Sequence, residues 1–249
     1  MDTKLVFGIS KQPDNITCGP TCLHAVYNFY NDSVSLQEVI SEVANIEAGG
    51  TLEVYLACHA LQRGYKTTIF PYNLQIFDPT WSSIPRDEIA AKLRRQLSYK
   101  KDIPGFEVVT RAYLNYIELG GDLKFEVLTA SLIRRYLKKS LPILTGLSAT
   151  YLYNEAREYC AGNKLIYDDV RGESTGHFVV LTGYNKEDRS VLLADPLKNN
   201  PIASSRYYSV SIYRLVCAIM LGILSYDGNL LIIQPKKKKA HQGIRPSIA

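Results

Sequence analysis

Gln12-Pro-Asp-Asn-Ile-Thr-Cys18-Gly-Pro-Thr-Cys22 is the stretch on which the reading of this chain turns. A glutamine stands six residues before a cysteine, and Gly19-Pro20 after that cysteine mark the first turn of a helix. Proline fits a first turn because its missing N–H would have had no helical partner there. Leu23, Val26, Tyr27 and Tyr30 follow at helical spacing, which predicts a helix over 19–30. A cysteine at a helix start meets free N–H groups and the positive end of the helix dipole, and both favour a thiolate. Gly19 beside it is expected to leave room for substrate close to the backbone.

The downstream counterparts are Gly176-His177-Phe-Val-Val-Leu and Ala194-Asp195-Pro196. Of the four histidines, His24 and His59 fall inside predicted helices and His241 lies in a basic tail. Only His177 stands at the mouth of an apolar strand, where its ring can project toward a cysteine in another part of the fold and act as base and acid. A hairpin between 177–184 and 190–194 would set Asp195 beside His177, and a carboxylate there orients an imidazole and stabilises its charged form. Gln12 can point a side-chain N–H at a tetrahedral oxyanion, with the Cys18 backbone N–H as second donor. The plainer readings are a buried structural cysteine, a satisfied strand-edge histidine, a turn aspartate before proline and an exposed polar glutamine. Cys58, between Ala57 and His59 in a helix, fits the buried-cysteine reading well, whereas Cys18 fits it poorly. Cys22, one turn along, is expected to pack beneath Cys18, because helix geometry strains a disulfide between such neighbours. Zinc held by Cys18, Cys22 and His24 lacks the second ligand pair that structural sites use. No cofactor and no metal is expected.

These residues resemble the C39 and C39-like family of papain-fold cysteine peptidases. Gln12-x5-Cys18-Gly-Pro-Thr-Cys-Leu is similar to the family's first motif, His177-Phe-Val-Val-Leu-Thr-Gly183-Tyr to the second and Asp195-Pro196 to the third. The resemblance implies Cys18 as nucleophile, His177 as base, Asp195 as orienting acid and Gln12 as oxyanion donor. It spans roughly residues 8–197, with a middle of about 81–174 that matches no family pattern. The best-known members sit on peptide-exporting ABC transporters and cut leader peptides after a double glycine. Here there is no Gly-x-x-x-x-Gly-Lys-Ser/Thr phosphate loop, and the longest apolar run, 215–224, is too short to span a bilayer. The resemblance therefore points to a free-standing thiol hydrolase cleaving a peptide, isopeptide or other amide bond through a Cys18 thioester. An acyl or γ-glutamyl transferase on the same scaffold and a non-catalytic peptide-binding module are the alternatives.

The rest of the chain sets the frame. Its 249 residues, 46% apolar and 21% charged, describe an ordinary globular protein. Five of its 29 basic residues (Lys236 to Lys239 and Arg245) lie after Ile233, leaving a body with 24 basic and 24 acidic residues. A neutral body argues against a nucleic-acid groove. The tail, 235–249, is expected to be a disordered solubilising end with at most weak contact to anionic surfaces. No secretory signal is recognisable, and five cysteines at no repeating spacing suit reduced thiols in a cytoplasm. The 18 tyrosines are expected to be scattered through core and surface.

Ser35-Leu-Gln-Glu38 is a capping box opening a helix to about Ile46, and Gly49-Gly50-Thr51 opens another that Gly64 ends. Strand signals mark 66–70, 123–128 and 142–147; helices are expected over 86–99, 106–117 and 130–139. The polar segment 151–174 is expected on the surface beside the cleft, and a second hairpin is expected from 218–224 and 230–233 across Asp227-Gly228-Asn229. Helices first and an antiparallel sheet later give an α+β, papain-like fold in a single domain over 1–234, with helix-borne cysteine facing strand-borne histidine. No heptads or long apolar stripe specify an assembly.

Overall fold

A computed structural model of the chain describes residues 3–46, 50–161, 164–225 and 228–236. After a short strand β1 (Thr3–Lys4) come three helices, α1 (Cys18–Phe29), α2 (Leu36–Glu42) and α3 (Glu53–Gln62). Strand β2 (Tyr65–Pro71) leads to α4 (Arg86–Lys100), α5 (Phe106–Glu118), β3 (Asp122–Leu123) and α6 (Ala130–Leu137). Then follow β4 (Ile143–Ser148), α7 (Ala149–Tyr153) and a small hairpin of β5 (Glu158–Ala161) with β6 (Lys164–Tyr167). The chain ends on β7 (Gly176–Asn185), β8 (Ser190–Ala194), β9 (Tyr207–Ser211), α8 (Ile212–Leu221) and β10 (Asn229–Pro235).

The fold is α+β around a large, mainly antiparallel sheet in the order β3-β2-β10-β4-β7-β8-β9, with β1 pairing β7. Helices α1, α3 and α5 gather near β7, β2 and β10, and α4 packs on α5; α6 and α8 pack against β4. One continuous cluster of buried apolar side chains joins these layers, from Leu23 and Tyr27 of α1 through Ile69 and Phe70 of β2 to Leu231 and Ile232 of β10. Strands buried on both faces carry apolar runs without alternation, as in Phe178–Leu181 of β7 and Leu230–Ile233 of β10, and β4 is buried along its whole length.

The segment 81–174 supplies α4, α5 and α6, strands β3 and β4, the short α7 and the β5–β6 hairpin. The α4–α5 pair lies beside α3, and β3 extends the sheet by running parallel to β2, Thr68 opposite Asp122. The strand expected over 123–128 is only Asp122–Leu123. Beyond it Phe125 turns onto Phe77, ring centroids 5.7 Å apart, and the chain starts α6 from a Thr129 cap.

Two other expectations change. Ser35 caps α2, its Oγ accepting from Glu38 N at 3.1 Å, but α2 stops at Glu42 because Val43 turns extended. Thr51 Oγ1 donates to Ala44 O at 2.7 Å and Ile46 N to Gly50 O at 3.0 Å, so the following residues bind across a loop rather than along a helix. The strand expected over 218–224 is helical instead. Ser211 caps α8, and Ile212, Leu215, Ala218 and Ile219 recur on one buried face while Tyr213, Met220 and Leu221 face solvent. A short apolar run does not reveal its period, and packing on β4 decided it. Strand β10 pairs with β2 and β4; Asp227 and residues 237–249 lie outside the described residues. Gly64 closes α3 at φ +87°, a backbone region open to glycine.

Gly19 also differs from expectation. It is buried, and a Cβ there would lie 2.6 Å from Thr51 Cγ2 and 3.2 Å from Phe178 Cδ2. Its bare backbone lets the start of α1 sit against β7, so it serves packing rather than room for a ligand. Gly19→Ala is expected to lower unfolding free energy by about 1–3 kcal/mol, the usual overpacking cost, in a denaturant titration; an unchanged midpoint would show that Thr51 and Phe178 yield freely.

Candidate active site

Helix α1 is fixed at both ends, which fixes Cys18 at its first turn. Near its start, Cys22 Sγ donates to Phe178 O of β7 at 3.3 Å, and at its far end Tyr30 OH donates to Ile233 O of β10 at 2.7 Å. Between them, His59 of α3 joins Tyr27 OH at 2.7 Å and Glu42 of α2 at 2.9 Å, tying the three helices together. Cys22 thus packs beneath Cys18 as a free, fully buried thiol. Its pKa lies well above the ordinary value because burial, and then the nearby Cys18 and Asp195, disfavour its anion. Thr21 N bonds Thr17 O at 3.0 Å, while the Cys18 and Gly19 N–H groups lie at the helix start, ahead of any i−4 carbonyl within it.

His177 is the second residue of β7 and lies opposite Leu147 of β4. On the other side β7 pairs with β8, Val180 facing Ala194. Continuing that register sets Asp195 opposite Val179, two residues from His177 and therefore on the same face. A β-bulge between Leu181 and Gly183 makes this so. Past the bulge Tyr184 faces Val191, and that register carried straight on would set Asp195 opposite Val180, on the face away from His177.

The result is a row of three side chains. His177 Nε2 and Asp195 Oδ1 are 2.8 Å apart, and Cys18 lies near enough to the same ring to favour its charged form. Since Nε2 is taken by Asp195, Nδ1 is the nitrogen left for the thiol. His177 is 7% exposed and Asp195 0%, while Cys18 is half-buried. Burial alone would push the His177 pKa down; the Asp195 charge and hydrogen bond, helped by Cys18, raise it above the ordinary histidine value. Burial pushes Asp195 up, yet His177 and the surrounding donors bring it down to about 2.

Those donors were not legible as site residues. Asp195 Oδ2 accepts from Tyr153 OH at 2.7 Å, Tyr208 OH at 2.6 Å and Asn200 Nδ2 at 2.9 Å; Oδ1 also accepts from Leu197 N at 2.9 Å. Tyr208 lies opposite Leu193 across β8–β9, and Tyr153 closes α7 with its ring 6.1 Å from that of His177. Nothing marks these two among 18 tyrosines before strand β9 is known to pair with β8.

Gln12 lies in the same place. Its backbone N–H donates to Pro196 O at 2.9 Å, joining the segment before α1 to the Asp195 loop. Its Nε2 donates to Asp14 O at 2.7 Å, which leaves the second amide hydrogen for another acceptor. Gln12 and His177 both line a cleft of about 480 Å³ whose far wall is the 155–167 segment, so the polar region does flank the cleft. The three residues weighed for zinc do not converge: Cys22 points to Phe178 O, and His24 rests 3.3 Å from the Asn28 amide. Among the described residues no group of His, Cys, Asp and Glu is arranged to hold a metal ion, and no helix is long and apolar enough to cross a membrane.

A thiol at a helix start stands near a strand-borne histidine that a buried carboxylate braces, on an α+β fold of the papain-like kind. The family model described as Peptidase_C39 like family matches residues 4–214, and the chain belongs to that family. Membership supports a cysteine peptidase. The chain is similar to a solved double glycine motif protease from an AMS/PCAT transporter in complex with its leader peptide, at 12% identity over 94% of this chain and 95% of that one, TM-score 0.44. It is also similar to the peptidase domain of Streptococcus ComA, a bifunctional ABC transporter in a quorum-sensing pathway, at 14% identity over 92% and 98%, TM-score 0.41. No curated protein matches the chain.

Tyr208→Phe removes one donor from a buried carboxylate and is expected to cost about 1.5–3 kcal/mol of stability. The ion pair also sets a pH dependence. The raised His177 pKa contributes stability in full below about 6.5 and loses it as pH rises beyond; the lowered Asp195 pKa contributes above about 4 and loses it as pH falls. Unfolding free energies across pH for wild type and His177→Gln should differ in both limbs, and parallel curves would exclude the pair as their source.

Proposed function

We propose that this protein is a thiol hydrolase that cleaves a peptide, isopeptide or related amide bond, with Cys18 as nucleophile, His177 as base and acid, Asp195 as the orienting carboxylate and Gln12 as oxyanion donor. The His177–Asp195 pair at 2.8 Å, with Cys18 at the start of α1 beside the His177 ring, carries the reading. Family membership and the cleft of about 480 Å³ lined by Gln12 and His177 support it.

The chemistry follows from the positions. His177 Nδ1 takes the Cys18 proton, and Sγ attacks the substrate carbonyl carbon. Negative charge develops on the carbonyl oxygen, and the proposed donors to it are the Cys18 backbone N–H and the second Gln12 amide hydrogen. Collapse breaks the C–N bond; the amine departs with the proton from His177 and leaves an acyl thioester on Cys18. Water, deprotonated by His177, attacks that thioester, releases the acid and restores the thiol. Throughout, Asp195 holds Nε2 and stabilises the charged ring, while the buried donors around Oδ2 keep the carboxylate from rotating away.

Turnover of a peptide library should fall about ten-thousandfold or more in Cys18→Ala and about 10²–10³-fold in Gln12→Ala, with Cys22→Ala keeping most of it. Iodoacetamide should label Cys18 ahead of buried Cys22 and Cys58, and His177→Ala should slow that labelling. Full turnover in Cys18→Ala, or equal labelling of the three thiols, would reject the assignment.

A further inference from the structure

Leu197, Lys198 and Asn199 line both the cleft beside His177 and a second hollow of about 370 Å³ next to it. Its charge is one-sided: Lys11, Lys198 and Arg206 line it, and no carboxylate does. None of the three forms an ion pair with a described residue. Lys11 and Lys198 are exposed, and Arg206 Nε is buried with no acceptor among the described residues. Ser204, Ser205 and Asn200 add neutral polar groups to the wall. Glu155 and Glu158 line the cleft beside His177 but not this hollow, so the two differ in charge.

Unpaired cations around a concavity focus a positive potential, and a guanidinium fork matches a carboxylate in shape. An orphaned buried Nε is a donor awaiting an acceptor. We propose that this hollow binds a carboxylate on the peptide substrate, from an acidic side chain or from the chain terminus, and thereby selects peptides that are acidic on the side of the scissile bond facing residues 197–206. The inference rests on the peptide-cleaving reading of the site. It also links occupancy to the Asp195 loop, because Asn200 donates to Asp195 Oδ2 at 2.9 Å and Arg206 O accepts from Asp195 N at 2.9 Å.

The test reads lysine chemistry rather than turnover. The full chain is acetylated under limiting reagent at constant ionic strength, and Lys11, Lys198 and the distant, exposed Lys101 are followed by mass spectrometry. The probes are acetyl-Glu-Glu-amide, acetyl-Gln-Gln-amide, acetyl-Gln-Gln with a free terminus, and inorganic phosphate. At about twice its Kd the acidic peptide should slow Lys198 about threefold and leave Lys101 alone. In Arg206→Gln that protection should shrink. Protection by the free-terminus peptide alone assigns the hollow to a terminal carboxylate, and by the Glu-Glu peptide alone to a side chain; both support the proposal. No protection, equal protection by the neutral amide, or phosphate protecting as well as any peptide would overturn it. In parallel, wild type and Arg206→Gln are given a proteome-derived peptide library. Acidic residues should be enriched at a fixed distance from the cuts by wild type and not by the variant. Absence of any cutting would count against the hydrolase reading, while the lysine protection still decides the subsite.

Discussion

The structure depends on one buried charge. Asp195 is wholly shielded from water, and an isolated carboxylate there would be too costly to hold ionised. It survives because five groups donate to it: the His177 ring, Tyr153, Tyr208, Asn200 and the Leu197 backbone. Hydrogen bonds to a charged group contribute roughly 1.5–3 kcal/mol each, so together they can offset a desolvation cost of several kcal/mol. They come from β7, α7, β9 and the loop after β8, which makes the carboxylate a junction of the second half of the chain. Oδ1 is left facing His177, and the imidazole has little choice of direction.

The first half of the chain answers with a rigidly held helix. Helix α1 is pinned to β7 through Cys22 and to β10 through Tyr30, and it approaches closely because Gly19 carries no side chain. The His59 bridge between Tyr27 and Glu42 and the bidentate Arg63–Asp32 pair, with Tyr65 on the same carboxylate, lock α1 to its neighbours. Their consequence is positional: the proposed nucleophile and the proposed base come from distant parts of the sequence, and reactivity tolerates little displacement between them. The Gln12 N–H to Pro196 O bond closes the arrangement by tying the segment before α1 to the Asp195 loop.

Much of this was legible in local patterns. Leu23, Val26 and Tyr27 do line the buried side of α1, the Ser35 cap forms, and the 177–184 and 190–194 hairpin forms. These follow from side-chain period and capping chemistry, which act over a few residues. The errors fell where the period was ambiguous or the outcome depended on a partner. The run 218–221 became helix because its face packs on β4, α2 ended early where Val43 turns extended and Thr51 binds Ala44 beyond it, and the bare Gly19 backbone fits against Phe178 and Thr51.

Sequence alone determined which groups are proposed to carry the chemistry: one cysteine at a Gly-Pro helix start, one histidine at a strand mouth, an aspartate after the next strand and a glutamine six residues before the cysteine. Their identities depend on short-range rules that a reader of the chain can apply. Tertiary structure decided whether they meet. The bulge between Leu181 and Gly183 turns Asp195 to the His177 face, and the Tyr153, Tyr208 and Asn200 cradle is assembled from three separate segments. So is the cation-lined hollow of Lys11, Lys198 and Arg206. A one-residue register shift and the convergence of distant side chains leave no local signature, because both are properties of pairing across the sheet rather than of any stretch along the chain.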